Sequence, residues 1–509
     1  GEMKLPVLAI IGVVLGICSY IYVQKSSVLE PVLWKSPNPL PKLSGAYASN
    51  NCLTIGLRKI YYDTTNRSKA ELHLPFMGPE CIAFDESGDA YVSLNDGTVA
   101  AFTSSGDYVK RIFFTGGFLE RNETNGLPAD DNEEGKKFLL WCNSEAISKR
   151  LAWNTTGERQ CGRPLGLRFR KTSSGPTLYI LDAYHGLFAL DLITLTASHL
   201  ITPNTPMLAA ARSDPRSLLP PKFFNDLDIL STAQGEVVVF SDSSYSFTRS
   251  ENRIEVLDGA PRGRLFAFSL ATQQLQVLLC GLHFPNGLQS FPSQRPQSEI
   301  IVAELSRFRV LKVNISSTRF SLDPAHSAEN AYFHGTSTCD EFGYLHHALS
   351  AQRLDNTNNN TTTNASTDAN TIDNSIIRNE SEDNYRRFGV TVFMDSVPGI
   401  VDNIRWHNNS FYLALGGKSA QPFSLLWTAY QSIVLRDVIG KFVSMQLVEH
   451  LLIPYGLVLQ VDENGRPQRS LHDPTGGNIS WVSHADRHPI TGELWLGSHS
   501  NAFIGILPQ

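Results

Sequence analysis

Paired cysteines at metal-binding spacing are missing from this sequence. Its seven cysteines, Cys18, Cys52, Cys81, Cys142, Cys161, Cys280 and Cys339, form no Cys-x-x-Cys pair, which argues against a zinc module. A Gly-x-Ser-x-Gly elbow is missing too, and with it the usual setting of a serine nucleophile. No excess of positive charge exists: 43 Lys and Arg stand against 49 Asp and Glu, for a net charge of −6. Nothing global therefore draws a nucleic acid. Charge patterns that support helices are sparse, whereas Gly and Pro recur between short apolar runs, as in all-β chains.

One long hydrophobic run does occur. Leu5 to Val23 reads LPVLAIIGVVLGICSYIYV, uncharged and bracketed by Lys4 and Lys25. At about 1.5 Å per residue it nearly crosses a hydrocarbon layer of roughly 30 Å. A cleaved signal peptide is the alternative, but its apolar part is usually only about 7–15 residues long. The length and the terminal aromatics Tyr20 and Tyr22 favour a retained anchor. Asn-x-Ser/Thr sequons begin at Asn66, Asn122, Asn154, Asn314, Asn359, Asn360, Asn364, Asn379, Asn408 and Asn478. Spread along the C-terminal body, they fit a lumenal or extracellular address. The expectation is a single-pass type II membrane protein. Residues 1–4 form a cytosolic stub, 5–23 meet the lipid bilayer, 24–60 form a stalk, and 61–509 form the exposed body. In an oxidising compartment the remaining cysteines read as disulfides. Cys142 and Cys161 flank a loop bearing a sequon, which suits a local bridge; the other pairings stay open.

Within the body a hairpin recurs: a polar or Pro/Gly turn, a short strand, a second turn, and a strand rich in β-branched and aromatic residues. The pairs are Cys81–Phe84 with Asp89–Leu94, Leu167–Arg170 with Thr177–Leu181, and Leu227–Leu230 with Glu236–Ser241. Leu288–Ser290 with Glu299–Glu304, Asn403–Trp406 with Ser410–Leu415, and Trp481–Ala485 with Glu493–Gly497 complete the set. Radial repetition of one hairpin predicts an all-β, six-bladed β-propeller. Two β-sandwich domains would supply strands but not the recurring hairpin. Residues 355–384, rich in Asn, Thr, Ser and Asp, read as a disordered, glycosylated insert. Over residues 422–448, Phe423, Leu426, Trp427, Tyr430, Val434 and Val438 fall at helical spacing after Pro422. They predict an inserted helix packed on the propeller, with a membrane-docking or lid role as the alternative.

Chemistry is expected where these hairpins begin. Gly78-Pro79-Glu80, Phe224-Asn225-Asp226, Phe284-Pro285-Asn286-Gly287 and Val401-Asp402-Asn403 each precede a first strand. In a propeller that position converges on the central channel. Glu80, Asn225, Asn286, Asp402 and Asn403 would offer oxygen ligands without thiolate or imidazole, a set suited to Ca²⁺. Any one of these segments alone is ordinary turn chemistry; their repetition is the signal.

The segments PECIAFDESGDAYVSLNDGTV, CGRPLGLRF, LYILDAYHGLFAL, FFNDLDIL, FPNGLQS, VAELSRFRVLKV and VPGIVDNIRW together resemble the strictosidine synthase-like family and its paraoxonase relatives. The resemblance runs from about Leu74 onward. It implies six blades, a Cys142–Cys161 disulfide, and a central Ca²⁺ held at Glu80, Asn225, Asn286, Asp402 and Asn403. Two departures stand out. The paraoxonase Pro-His-Gly turn is Pro164-Leu165-Gly166 here, and the strictosidine synthase glutamate aligns with Ser483. Condensation of an amine with an aldehyde is therefore not expected. His185 and His484 lie near the altered positions and are the candidate bases, with Asn225 a candidate oxyanion donor. Two functions follow as expectations. One is Ca²⁺-dependent hydrolysis of a small ester or lactone. The other is a non-catalytic module that binds an extracellular protein around a structural ion.

Overall fold

The computed structural model describes residues 29, 39–61, 74–121, 124–129, 131–148, 156–173, 175–207, 219–232, 235–291, 296–315, 389–443, 447–448 and 452–508. Six four-stranded antiparallel sheets make up the body. Each expected hairpin is present as the first two strands of one sheet, at Ile82–Phe84, Pro164–Thr172, Phe224–Thr232, Pro285–Ser290, Gly399–His407 and Val482–Arg487 with their partners. The first strands of successive sheets touch one another, so the sheets are blades around an axis. The six-bladed all-β propeller holds.

Apolar burial explains the strand composition. In blade three, Val237 and Val239 join a core shared with blade four, whereas Val238 and Phe240 join one shared with blade two. Alternate side chains leave opposite faces of a strand. A middle strand buried on both faces therefore reads as a continuous apolar run, not as a polar-apolar alternation. Six such cores, one between each pair of neighbouring blades, carry most of the buried apolar surface.

Two boundaries are corrected. The expected stalk over 24–60 is part of the propeller where it is described. Leu29, Leu40 and Leu53 are buried, and Arg58–Ile60 pairs with Ile504–Leu507 as the outermost strand of blade six. That pairing covers a sheet edge that would otherwise be open. The single helix expected over 422–448 is two, because Ser432 interrupts it by capping the second through a bond from the Leu435 amide at 3.1 Å. Helices among the described residues include α1 (Thr115–Arg121), α2 (Glu133–Ser148), α3 (Thr156–Cys161), α4 (Asn252–Asp258), α5 (Leu425–Tyr430) and α6 (Ile433–Phe442). Ser424 caps α5 in the same way, accepting from the Trp427 amide at 3.2 Å. A Cys142–Cys161 disulfide joins α2 to α3; Cys52 and Cys81 are free thiols, Cys81 fully buried.

The anchor at 5–23, the insert at 355–384 and the sequons at Asn66, Asn122, Asn154, Asn359, Asn360, Asn364 and Asn379 lie outside the described residues. Among the described residues no helix is long and apolar enough to cross a membrane. Asn408 is exposed in a turn, while Asn314 and Asn478 are half-buried.

Candidate functional site

A repeated irregularity builds the channel. The pairing register slips at the start of the first strand in blades two to six, between Pro164 and Gly166, Phe224 and Leu227, Pro285 and Leu288, Val401 and Ile404, and Val482 and His484. Such bulges turn consecutive residues toward one side, so each blade contributes two neighbouring side chains before regular alternation resumes. Gly287 shows how close the blades then come: a Cβ there would lie 2.3 Å from the Asp402 carbonyl oxygen.

The upper layer contains the expected ligand residues. Glu80, Asn225, Asn286, Asp402 and Asn403 are all buried. The Asn225 amide donates to Ser243 Oγ at 2.8 Å, and Ser243 Oγ donates to the Pro285 carbonyl at 2.7 Å. Ser483 donates to the Glu80 carbonyl at 3.0 Å and so ties blade six to blade one. Glu80 is ion-paired with Arg163 at 2.8 Å. Asp402 has no such partner among the described residues. Burial, then the Glu80 carboxylate, push its carboxyl well above the ordinary range, although Asn286 donates to it. The Asn286 side-chain oxygen is buried and unpartnered. An orphaned amide oxygen beside two carboxylates, one of them without a cation, is a donor set that fits Ca²⁺.

One step deeper the channel supplies its own cations. Asp226 is gripped by Arg405 at 2.9 Å and by Arg168 at 3.4 Å, and accepts from the Leu288 amide at 3.0 Å. Burial alone would raise its carboxyl, but the two guanidiniums hold it below the usual range. Arg405 also donates to Cys81 Sγ at 3.1 Å, and burial pushes that thiol up. Asp228 accepts from Arg168 Nε at 3.2 Å, from Gln289 at 2.9 Å and from the Ser290 amide at 2.7 Å. Burial raises Asp486 to about 6, against the pull of Arg405.

The two candidate histidines part company. His484 is fully buried with both ring nitrogens unpartnered. Burial, then Arg405 and Arg168, push it well below its ordinary value, so it is neutral. His185 sits 2.6 Å from the Arg159 carbonyl of α3, and its own carbonyl meets the His199 ring at 2.7 Å. It is spent on local backbone contacts. Leu165, which stands in the histidine turn, joins an apolar cap with Tyr184, Phe223, Phe284 and Leu305, packed against Val256 and Ile400. Phe223, Phe284 and Ile400 each lie two residues before an upper-layer residue in the sequence.

Comparison with known proteins agrees with this architecture. A strictosidine synthase family model matches residues 225–318, which carry Asn225 and Asn286. Over those residues the chain is similar to the strictosidine synthase family. Among individual proteins it is similar to adipocyte plasma membrane-associated protein. The rat protein is 28% identical over 68% of this chain and 70% of its own length. The bovine protein is 27% identical over 68% of this chain and 64% of its own length. Strictosidine synthase-like 10 of Arabidopsis thaliana is 26% identical over 84% of each chain.

Reading the strands missed Arg163, Ser243, Arg168, Arg405 and Asp226 as parts of the site. A signal for two of them exists. Arg168, Asp228, Arg405 and Asp486 each stand three residues after the upper-layer position of their blade. A charge at one fixed offset in four otherwise apolar strands marks a shared polar layer.

Proposed function

We propose that this propeller is a Ca²⁺-dependent hydrolase of a small ester or lactone, with the upper layer as its centre. One observation carries the reading: the Glu80–Asp402 pair with the orphaned Asn286 oxygen, in a channel whose other buried acids have cationic or hydrogen-bonded partners. Glu80, Asn225, Asn286, Asp402 and Asn403 would hold the ion. When bound, Ca²⁺ supplies a Lewis acid that polarises a carbonyl oxygen and stabilises the developing oxyanion. The apolar cap of Leu165, Phe223 and Phe284 would seat an acyl or aryl group and exclude bulk water. Each amide nitrogen of Asn225 and Asn286 carries two hydrogens; one is committed, and the other is free to orient the substrate. Asp402, beside the ion, is the group placed to accept a proton from water. His484 is the weaker base, because burial, then Arg405 and Arg168, oppose its protonation.

A second reading, an interaction module with a structural ion, draws on the Arg163–Glu80 pair, which already neutralises one ligand. The names of the animal relatives favour membrane association, and the uncharged run from Leu5 to Val23 supports a type II anchor. Hydrolysis of an aryl acetate and a lactone by the purified full chain, with Ca²⁺ or excess chelator, separates the readings. Calcium-dependent turnover lost in Asn286→Ala, with fold intact by circular dichroism, is the expected outcome. Absence of turnover, with Ca²⁺ raising only Tm, would assign the ion a structural role.

A further inference from the structure

The helix pair α5–α6 is built the wrong way round for water. Its arginine points inward: Arg436 is buried and donates to the Asp258 carbonyl at 2.6 Å, at the C-terminal end of α4. There a cation satisfies a carbonyl that the helix leaves unbonded. Tyr430 is likewise buried and donates to the Val256 carbonyl. A second set of apolar residues points outward. Val434 is 67% exposed and Phe423, just ahead of α5, 66%, with Leu425, Leu435 and Val438 also exposed. Val434 and Val438 are one helical turn apart and lie on the same face. Solvent-facing apolar stripes of this kind mark docking surfaces.

Two placements identify what this stripe meets. The pair is inserted between Lys418 and Gly456, at the strand ends where the upper channel layer sits. At the base of the same pair, Leu29 is buried with Ile254, Leu257 and Ala429, against Leu426 and Ile439. Leu29 is six residues beyond Val23, the last residue of the uncharged run. Six residues span at most about 20 Å even when fully extended. A bilayer entered by that run is therefore held within reach of the stripe.

We infer that the exposed face of α5–α6 docks on the lipid surface, setting the channel mouth toward the bilayer. The apolar side chains enter the headgroup and acyl boundary while Arg436 stays with the protein. The inference rests on the membrane run but not on hydrolase activity.

The test uses the full chain in nanodiscs, with Cys18 and Cys52 replaced by serine and a polarity-sensitive fluorophore placed by Val434→Cys. Phe423→Cys serves as a second site should the first disturb α6. Ile193→Cys and Ile490→Cys report from turns at the opposite end of the blades, where both residues are exposed, 71% and 65%. Lipids carrying a nitroxide near the headgroup are expected to quench the labels at 434 and 423 by about half or more, and those at 193 and 490 by less than about a tenth. Equal quenching at all four sites would overturn the inference. So would labels at 434 and 423 that are shielded from water yet indifferent to the lipid quencher, which would place another protein segment on the stripe.

Discussion

Two layers of one channel treat buried acid in opposite ways. In the lower layer Arg168 and Arg405 are fixed among Asp226, Asp228 and Asp486, with peptide amides and Gln289 completing the bonds. In the upper layer Arg163 reaches Glu80, but Asp402 has no bonded cation among the described residues and the Asn286 oxygen has no partner. Burying charge is costly unless it is paired. Asp226 and Asp228 of the lower layer are therefore paired within the protein, whereas Asp402 of the upper layer has no cation among the described residues. That contrast within one channel, not the burial itself, is what supports the upper layer as the proposed ion site.

Removing the internal cation tests the lower layer most severely. Arg405→Met leaves Asp226 with Arg168 alone and is expected to cost about 3–5 kcal/mol of stability, the range for a broken buried pair. Denaturant unfolding measures it, and a loss under about 1 kcal/mol would erase the distinction between the layers. In the upper layer the opposite result is expected. Arg163→Met frees Glu80 and tightens Ca²⁺ binding by roughly tenfold, about 1.4 kcal/mol, read by calorimetry. Weaker binding would mean that Arg163 positions Glu80 rather than competing with the ion.

Protonation sharpens the comparison further. Asp486, raised to about 6, binds a proton more readily folded than unfolded. Its carboxylate costs stability in full above pH 6, and that cost is relieved as pH falls from about 6 toward 4. Asp486→Asn is expected to gain about 1–3 kcal/mol at pH 7.5 and to flatten that part of the stability profile. An unchanged profile would place the proton elsewhere. The smallest effect belongs to Cys81: serine preserves an acceptor for Arg405, so Cys81→Ser should shift unfolding by about 1 kcal/mol or less, and Cys81→Ala by more.

Blades were legible because each inner strand follows a turn and each middle strand is an apolar run such as Val237–Phe240. The upper layer was legible because Glu80, Asn225, Asn286 and Asp402 stand at the start of the inner strand in blades one, three, four and five. What pairs with them was not. Arg405 meets Asp226 from two blades away, 179 positions apart in sequence, and no local pattern announces such a contact. Excursions from the repeat were equally hidden. In α2 the apolar residues Phe138, Leu139, Leu140 and Trp141 are consecutive instead of following a helical period, so the segment carries little amphipathic signal. The edge strand Arg58–Ile60 is only three residues long and gives no alternation to read.

That short strand has a consequence in time. Arg58–Ile60 finds its partner in Ile504–Leu507, roughly 440 residues later, and a chain grows at about 5–20 residues per second. For about 20 to 90 seconds of synthesis the ring is therefore open. The first strand of the body to emerge is the last to be fastened, and blade six becomes a quality checkpoint that a chain passes only once Ile504–Leu507 has been made.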